Sequence, residues 1–315
     1  MSTSPKVPDA PPGDRRPITL PRLLEMKQLG EAIVMITAYD YPTAQVAEEA
    51  EVDVVLVGDS AAMTVLGYES TTAVTMEEML VLARAVRRGL RTPLMVGDLP
   101  FGTYQVSDQQ AVETAARFVK EAGCDAVKVE VAGIAGRFSD KRQSVDRARA
   151  IIAAGIPVMG HVGLTPQSAT ALGGFRAQGR TAAGAVQVAD DAFALQEAGC
   201  FAIVFEAVPA AVAEAIVPRL EVPVIGVGAG PATDGQVLVL HDLLGIYSGH
   251  APRFAKRFAE VKTAMVEGVR AYAAEVREHR FPAAEHTYGI DPDELERFRE
   301  IVAPGKPWDI ADAMG

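Results

Sequence analysis

Four acidic residues end apolar runs and are the first candidates for chemistry. Asp59 ends VVLVGD, Asp98 ends LMVGD, Glu130 ends AVKVE and Glu206 ends AIVFE. Runs that are apolar throughout are typical of strands buried on both faces, which carry polar side chains where they emerge. The pattern therefore predicts four carboxylates at the carboxyl ends of buried parallel strands.

Three of these acids suggest a metal site. Asp59, Asp98 and Glu130 would meet at neighbouring strand ends, where like charges are costly unless a cation is present. Oxygen ligands without a cysteine or histidine cluster favour Mg²⁺ over Zn²⁺, with Mn²⁺ or Co²⁺ as substitutes. Alternatively, each acid caps the following helix or pairs with a basic side chain. The threefold placement favours the metal.

Two further residues are candidates for binding and proton transfer. Lys128 lies two positions before Glu130, so both side chains face the same side of a strand. A buried lysine would neutralise an anionic substrate group, form a Schiff base or pair with Glu130. Glu206 would accept a proton from a bound substrate; the alternative is an ion pair with an arginine such as Arg180.

A histidine and a glycine-rich segment allow several interpretations. His161 ends the run PVMGH and would be a metal ligand, a hydrogen-bond donor to substrate or a core histidine. The last two are favoured because no second histidine ends a neighbouring predicted strand. Gly226, Gly228 and Gly230 in IGVGAGP would either let the backbone approach a phosphate or form a tight turn.

The elements that position these residues form a βα repeat. EAGCDAVKVE from Glu121 matches EAGCFAIVFE from Glu197, and eight apolar runs alternate with helical patterns. This predicts an α/β fold, a (β/α)8 TIM barrel with a short N-terminal helix and a C-terminal helical extension. A doubly wound open sheet is the alternative. It is disfavoured because no GxGxxG follows the first strand, and only a closed ring brings acids from successive strands to one point.

Several element boundaries follow from the same patterns. Segment 60–75 is predicted to be a long loop covering the site, and Thr75 with Glu78 forms a capping-box pattern. The first strand is expected at Ile33 to Ala38 and the eighth at Gln236 to His241. A helix from Ala251 to about His279 would close the barrel.

Composition limits the partners and the compartment. The 315 residues are 49% hydrophobic and carry a net charge of −11, which opposes binding to nucleic acid or anionic lipid. No apolar run is long enough for a membrane span. Cys124 and Cys200 precede apolar strands and are expected to be reduced core residues of a cytoplasmic protein. The expected organisation is a disordered lead-in (1–17), a catalytic barrel (18–282) and a C-terminal extension (283–315).

Beyond single residues, the sequence resembles the ketopantoate hydroxymethyltransferase family from about Leu20 to about Pro282. The resemblance lies in the order and spacing of TAYDYP, VGDS, GDLPFGTY, KVE, GHVGLTPQ, FRAQGR, FEAVP and GVGAGPATDGQVLVLHDLLG. One departure is that Glu130 is followed by Val-Ala-Gly, where the family usually has Gly-Gly. This difference affects the expected loop shape and leaves the carboxylate in place.

The resemblance implies a TIM barrel that transfers a hydroxymethyl group from 5,10-methylenetetrahydrofolate to 3-methyl-2-oxobutanoate. The product would be 2-dehydropantoate, for pantothenate biosynthesis, formed through a Mg²⁺-stabilised enolate with one Mg²⁺ per subunit. The family also suggests a large homo-oligomer, a decamer. By position, the implied roles are metal binding for Asp59, Asp98 and Glu130, catalytic base for Glu206, and substrate binding for Asp59, Ser60, Asp98, Lys128 and His161.

The sequence is compatible with three rival functions. The nearest is another Mg²⁺ barrel acting on 2-keto acids, of the phosphoenolpyruvate mutase and isocitrate lyase kind. A Schiff-base aldolase would use Lys128 as its nucleophile. A non-catalytic barrel that binds metabolites or scaffolds an assembly would have little need for an acid cluster.

Overall fold

The structure is a computed structural model that describes residues 15–131, 142–247 and 252–303. Contacts divide the chain into two units, Met1–Glu260 and Val261–Gly315. Most of the predicted lead-in lies outside the described residues, as does the last part of the predicted extension, 304–315.

Eight parallel strands of the first unit close into a barrel, in which each strand pairs with the next and β8 pairs with β1. The predicted (β/α)8 fold is therefore confirmed. The strands are β1 Ile33–Thr37, β2 Val54–Val57, β3 Leu94–Asp98, β4 Ala126–Glu130, β5 Val158–Gly163, β6 Ala202–Glu206, β7 Val224–Val227 and β8 Gly235–Leu238.

Helices follow the strands and cover the outside of the barrel. Thr75 and Glu78 form the predicted capping box at the start of the fourth helix. The α-helices of the first unit are α1 Leu20–Leu29, α2 Tyr41–Glu49, α3 Ala61–Thr64, α4 Met76–Gly89, α5 Asp108–Ala122, α6 Arg142–Ala153, α7 Ala169–Leu172, α8 Ala182–Ala198, α9 Ala210–Ile216 and α10 Leu240–Leu244.

Alternation along the strands separates two cores. One set of side chains fills the inside of the barrel and the other packs between strands and helices. On β4, Ala126 faces inward while Val127 and Val129 pack outward. Cys124 and Cys200 belong to the outer core as buried free thiols, as predicted.

Several predicted boundaries are wrong. The first strand ends at Thr37, one residue before the predicted Ala38. The eighth strand ends at Leu238 and His241 lies in α10, whose first backbone N–H donates to Thr37 Oγ1 at 3.0 Å. The predicted loop at 60–75 contains α3 and a short 3₁₀ turn at Thr71–Ala73. Local hydrogen bonds stabilise this segment, including one from Thr64 Oγ1 to the carbonyl of Ser60 at 3.0 Å.

The second unit contains α11 Val261–Arg277 and α12 Pro292–Ile301. The long helix therefore begins at Val261 and not at Ala251. None of its side chains is buried, and Met265, Val269 and Tyr272 are exposed. Among the helices that the structure describes, none is long and apolar enough to cross a membrane.

Candidate active site

All seven candidate residues line one cavity of about 880 Å³ at the carboxyl ends of the strands. The cavity wall includes Asp59, Ser60, Asp98, Lys128, Glu130, His161 and Glu206. The sequence placed the acids and His161 by strand ends, Lys128 by its spacing to Glu130 and Ser60 by the family resemblance. Barrel closure brings them together. Arg180, the alternative partner of Glu206, is not part of this wall.

Strand register determines which charged side chains are neighbours. Asp98 on β3 pairs with Lys128 on β4, and Glu130 on β4 pairs with His161 on β5. Below them, the inward positions are apolar, as at Val96. The period-two alternation that fills the barrel with apolar groups thus continues upward into the charged cluster.

Each of the three acids has one carboxylate oxygen held by a hydrogen bond. The Gln167 side chain donates from Nε2 to Asp59 Oδ2 at 2.9 Å. The backbone N–H of Asp59 donates to Asp98 Oδ2 at 3.1 Å, and that of Gln167 donates to Glu130 Oε2 at 3.0 Å. All three acids are buried. Their orientation is therefore fixed from one side.

Lys128 is the cation within this cluster. Its Nζ lies 2.7 Å from Asp98 Oδ1 and 3.9 Å from Glu130 Oε1. Burial alone would lower the pKa of Lys128, but the carboxylates of Asp98, Glu130 and Asp59 outweigh burial and raise it. The side chain is an ammonium ion at neutral pH, and its shortest ion pair is with Asp98 rather than with Glu130.

The same crowding opposes ionisation of the aspartates. Burial raises the pKa of Asp59 well above its usual range, and the charges of Asp98 and Glu130 raise it further. Burial also raises the pKa of Asp98, and Lys128 only partly opposes that effect. One lysine therefore does not neutralise the cluster, and a further positive charge would stabilise it.

The donor set fits a magnesium ion. Asp98 Oδ1 is buried and paired with Lys128 at 2.7 Å. Buried Glu130 Oε1 has no close hydrogen-bond partner among the described residues, since His161 Nδ1 lies 3.5 Å and Lys128 Nζ 3.9 Å away. Among those residues, no three His, Cys, Asp or Glu side chains are arranged around one point as metal ligands. Magnesium does not require three such ligands, because it commonly uses one or two carboxylates and completes its coordination with water or substrate oxygens.

His161 lies between the acid cluster and Glu206. Its Nδ1 is 3.5 Å from Glu130 Oε1 and its Nε2 is 3.3 Å from Glu206 Oε2. Burial and Lys128 lower the pKa of His161, but Glu130 and Glu206 outweigh them and raise it to about 9. Nδ1 also lies 3.3 Å from Lys128 Nζ, and Lys128 could donate a hydrogen bond to it only if the ring were neutral. The surrounding acids favour the protonated ring, and Nε2 lies near Glu206 without forming a well-aligned hydrogen bond among the described residues.

Glu206 is the most accessible of the four candidate acids. Its side chain is 18% exposed, whereas that of Glu130 is 2% exposed. Its side chain therefore faces the open part of the cavity, across His161 from the acid cluster. Its backbone lies close to β5: a Cβ on Gly163, which has φ +92°, would lie 2.3 Å from the Glu206 carbonyl oxygen.

Ser60 is held by a tyrosine that the sequence did not identify. Tyr39 OH and Ser60 Oγ are 2.8 Å apart, and Tyr39 is fully buried. Burial raises the pKa of Tyr39 to about 12. The phenol therefore stays protonated and supports the serine hydroxyl at the cavity wall.

Gln167 and Tyr104 are the other functional candidates that the sequence did not identify. Tyr104 OH donates to Gln167 Oε1 at 2.8 Å and accepts from the backbone N–H of Glu130 at 3.2 Å. Both lie in family-like segments, GHVGLTPQ and GDLPFGTY. Membership of those segments was the only available signal, because Gln167 and Asp59 are 108 positions apart.

The glycine-rich segment after β7 forms a tight turn. Gly228 and Gly230 have φ values of +67° and +83°, which glycine adopts readily. A Cβ on Gly226 would lie 2.7 Å from Thr233 Oγ1 within the same segment. These glycines therefore form a turn, and Gly228 and Gly230 also line the cavity, so the structure is compatible with both interpretations.

Comparisons with known proteins agree over most of the chain. A family model described as ketopantoate hydroxymethyltransferase matches residues 17–284. The chain is 51% identical to 3-methyl-2-oxobutanoate hydroxymethyltransferase of Moorella thermoacetica, over 87% of this chain and 98% of that protein. It is 49% identical to the Arabidopsis thaliana protein named 3-methyl-2-oxobutanoate hydroxymethyltransferase 1, mitochondrial, over 91% of this chain and 82% of that one.

Solved structures of low sequence identity share the fold. A phosphonopyruvate hydrolase in complex with oxalate and Mg²⁺ aligns with a TM-score of 0.57 and 15% identity. The alignment covers 91% of this chain and 99% of that one. At this identity the likeness supports the barrel architecture alone.

Proposed function

The chain belongs to the ketopantoate hydroxymethyltransferase family, and from that premise we propose that it transfers a hydroxymethyl group to 3-methyl-2-oxobutanoate, giving 2-dehydropantoate for pantothenate biosynthesis. The observation that carries the proposal is the 51% identity to the 3-methyl-2-oxobutanoate hydroxymethyltransferase of Moorella thermoacetica, over 87% of this chain. The cavity lined by acids, one lysine and one serine supports it, because these groups suit a small 2-keto acid.

We propose 5,10-methylenetetrahydrofolate as the donor of the one-carbon unit. This part of the proposal rests on the family resemblance. A cavity of about 880 Å³ supports it, because that volume is several times larger than a small keto acid requires. Apolar parts of the cavity wall, including Phe175 and Phe254, would then contact a second ligand.

Asp59, Asp98 and Glu130 would hold Mg²⁺, one per subunit. When bound, the metal would polarise the ketone of the keto acid and stabilise the negative charge that develops as the enolate. The three buried acids that share one lysine support this assignment, as does Glu130 Oε1, whose nearest polar neighbours are His161 Nδ1 at 3.5 Å and Lys128 Nζ at 3.9 Å.

Side chains of the cavity would bind and orient the keto acid. The Lys128 ammonium and the Ser60 hydroxyl would hold its carboxylate, with Tyr39 keeping Ser60 in place. Asp59 and Asp98 would contact it together with the cation. These groups would leave C3 of the substrate directed toward the open side of the cavity, where Glu206 lies.

Glu206 would remove the C3 proton. Its carboxylate is the most accessible of the four, and His161 Nε2 lies 3.3 Å from one of its oxygens. With a small adjustment this neighbour would orient the carboxylate and leave its other oxygen to accept the proton. The carbon nucleophile would then form a C–C bond to the one-carbon unit, and water would supply the hydroxyl oxygen. Both C–N bonds of that unit would break, and tetrahydrofolate would leave with its two nitrogens protonated by the C3 proton and the second proton of water.

The first test is formation of 2-dehydropantoate from 3-methyl-2-oxobutanoate and 5,10-methylenetetrahydrofolate, with Mg²⁺ and then with excess EDTA. We expect turnover with Mg²⁺ and loss of turnover with EDTA. Absence of product under both conditions would contradict the proposed function.

A second test isolates the base. We expect Glu206→Gln to slow exchange of the C3 proton of the keto acid by about 10² to 10⁴-fold, the usual contribution of a positioned base. The exchange is followed by NMR in D₂O, with Glu197→Gln on the surface helix as the control. Exchange at the wild-type rate in Glu206→Gln would refute the assignment.

The Schiff-base alternative is disfavoured by the electrostatics of Lys128. A nucleophilic lysine needs a neutral amine and hence a lowered pKa, whereas the neighbouring acids raise the pKa of Lys128. Borohydride should therefore fail to trap the keto acid on this residue.

Assembly, domain limits and compartment remain proposals. On the family resemblance we propose a cytoplasmic homo-oligomer of ten subunits, with a catalytic barrel at 18–282 and an extension at 283–315. The exposed apolar side chains of α11 are suited to such interfaces. The relative from Arabidopsis thaliana is named mitochondrial, so compartment varies within the family. Sedimentation velocity measures the subunit number directly.

A further inference from the structure

Gln167 is buried and makes hydrogen bonds to two of the three candidate metal ligands. We propose that it is a positioning residue for the metal site: it fixes Asp59 and Glu130 so that each presents its remaining carboxylate oxygen to a cation. The inference rests on the proposed metal-dependent function and adds a residue to which that function assigns no role.

The orientation of the Gln167 amide is fully determined by its neighbours. Its Nε2 donates to Asp59 Oδ2 and to the carbonyl of Leu99, both at 2.9 Å. Its Oε1 accepts from Tyr104 OH at 2.8 Å and from Gln105 Nε2 at 3.3 Å. These bonds use both amide hydrogens and both lone pairs, so the hydrogen-bonding capacity of the side chain is filled.

Both donors to Gln167 Oε1 are themselves oriented. Tyr104 OH accepts from the backbone N–H of Glu130 at 3.2 Å, so its own hydrogen is available for Gln167. Gln105 Oε1 accepts from the backbone N–H of Gly102 at 2.8 Å, which directs its Nε2 toward Gln167. A flipped Gln167 amide would bring two amide nitrogens together and would lose the bond to Asp59.

Gln167 therefore links three strand ends. It lies after β5, yet its side chain reaches Asp59 beyond β2 and Leu99 beyond β3, and its backbone N–H reaches Glu130 at the end of β4. The oxygens it binds are Asp59 Oδ2 and Glu130 Oε2. On Glu130 this leaves Oε1, which is buried and has no hydrogen-bond partner among the described residues.

A purely structural glutamine would act differently. Gln196 provides the comparison within this chain: its Oε1 accepts from the backbone N–H groups of Glu221 and Val222 at 2.7 and 3.3 Å, and it contacts no candidate ligand. Loss of Gln196 should lower stability alone. Loss of Gln167 should also weaken the metal site, because partners that orient ligands typically contribute 10 to 100-fold to metal affinity.

The test is the Mg²⁺ dissociation constant of the metal-stripped full-length protein, measured by calorimetry without substrate. We expect Gln167→Met, which keeps the chain length and removes the amide, to weaken binding by 10 to 100-fold. Tyr104→Phe removes one anchor of the amide and should weaken binding several-fold. Gln196→Met is the control and should bind Mg²⁺ as the wild type does.

Wild-type affinity in folded Gln167→Met would overturn the proposal. If that variant does not fold, Tyr104→Phe decides, and unchanged affinity there would overturn it equally. A wild-type protein that binds no Mg²⁺ would overturn both this inference and the metal site. A wild type that binds Mg²⁺ without forming 2-dehydropantoate would contradict the proposed function alone, and the order of affinities among the variants would still decide the role of Gln167.

Discussion

Acidic side chains occur at both ends of the barrel, and the two groups differ in how their charges are satisfied. At the amino ends of the strands, Asp53 and Asp234 accept backbone N–H groups of neighbouring strands, from Val34 at 2.8 Å and Val224 at 2.7 Å. Each also pairs with a base, Arg15 or Lys27. These acids join adjacent strands and are fully compensated.

At the carboxyl ends, Asp59, Asp98 and Glu130 share a single buried lysine. Burial and mutual repulsion raise the pKa values of the two aspartates, and Glu130 Oε1 has no close hydrogen-bond partner among the described residues. The acids at the amino ends therefore stabilise the fold. Those at the carboxyl ends repel one another, and a bound cation and substrate would reduce that repulsion. In barrels of this type, catalytic residues lie at the carboxyl ends of the strands.

The largest expected effect concerns Asp59→Asn. The variant keeps an oxygen for Gln167 but loses a charge that the metal needs, so we expect turnover to fall about 1,000-fold, or about 4 kcal/mol. Because the raised pKa means that ionised Asp59 disfavours the folded state at neutral pH, the metal-free variant should be at least as stable as the metal-free wild type. Steady-state kinetics and urea unfolding check both parts. If metal-free Asp59→Asn were less stable than the metal-free wild type, the repulsion inferred at the carboxyl ends would be contradicted.

Much of this cluster is predictable from sequence. A strand end leaves a local signature, so Asp59, Asp98, Glu130 and Glu206 could all be placed before the fold was known. Their hydrogen-bond partners could not, because contacts such as Gln167 with Asp59 join residues that are distant in sequence. Local propensity also failed at His241, which lies in helix α10 instead of continuing the strand.

The acids that join strands at the amino ends of the barrel were not predicted from the sequence. Asp53 precedes an apolar run and Asp234 lies in the segment TDGQVL, and nothing local distinguishes an acid that joins two strands from a solvated one. Their roles depend on the register of β1 with β2 and of β7 with β8. Register in turn depends on packing of the whole barrel.

Asp234→Ala should have the next largest effect, and on stability alone. It removes the partner of Lys27 and leaves the Val224 N–H without its acceptor, which we expect to cost about 2 kcal/mol of unfolding free energy. Turnover per folded molecule should remain near the wild-type value. A large loss of activity with unchanged stability would break the distinction between the two ends.

Asp125→Asn should have the smallest effect. Asp125 also accepts a backbone N–H, from Met95 at 2.8 Å, but its side chain is 43% exposed and its ion pair with Arg87 is screened by water. The asparagine oxygen can replace the acceptor, so we expect less than about 1 kcal/mol of destabilisation. Thermal unfolding at low and high salt measures it. A larger cost at low salt would mean that this pair resembles the buried ones.

The central claim is that the acid cluster at the carboxyl ends binds a keto acid together with a divalent cation. The most direct measurement is the affinity for 3-methyl-2-oxobutanoate by calorimetry, with Mg²⁺ and with EDTA, in the wild type, Asp59→Asn and Asp234→Ala. We predict binding at least 10-fold tighter with Mg²⁺ in the wild type and Asp234→Ala, about 1.4 kcal/mol of coupling, and no such coupling in Asp59→Asn. Equal affinity with and without Mg²⁺ in the wild type would contradict the claim.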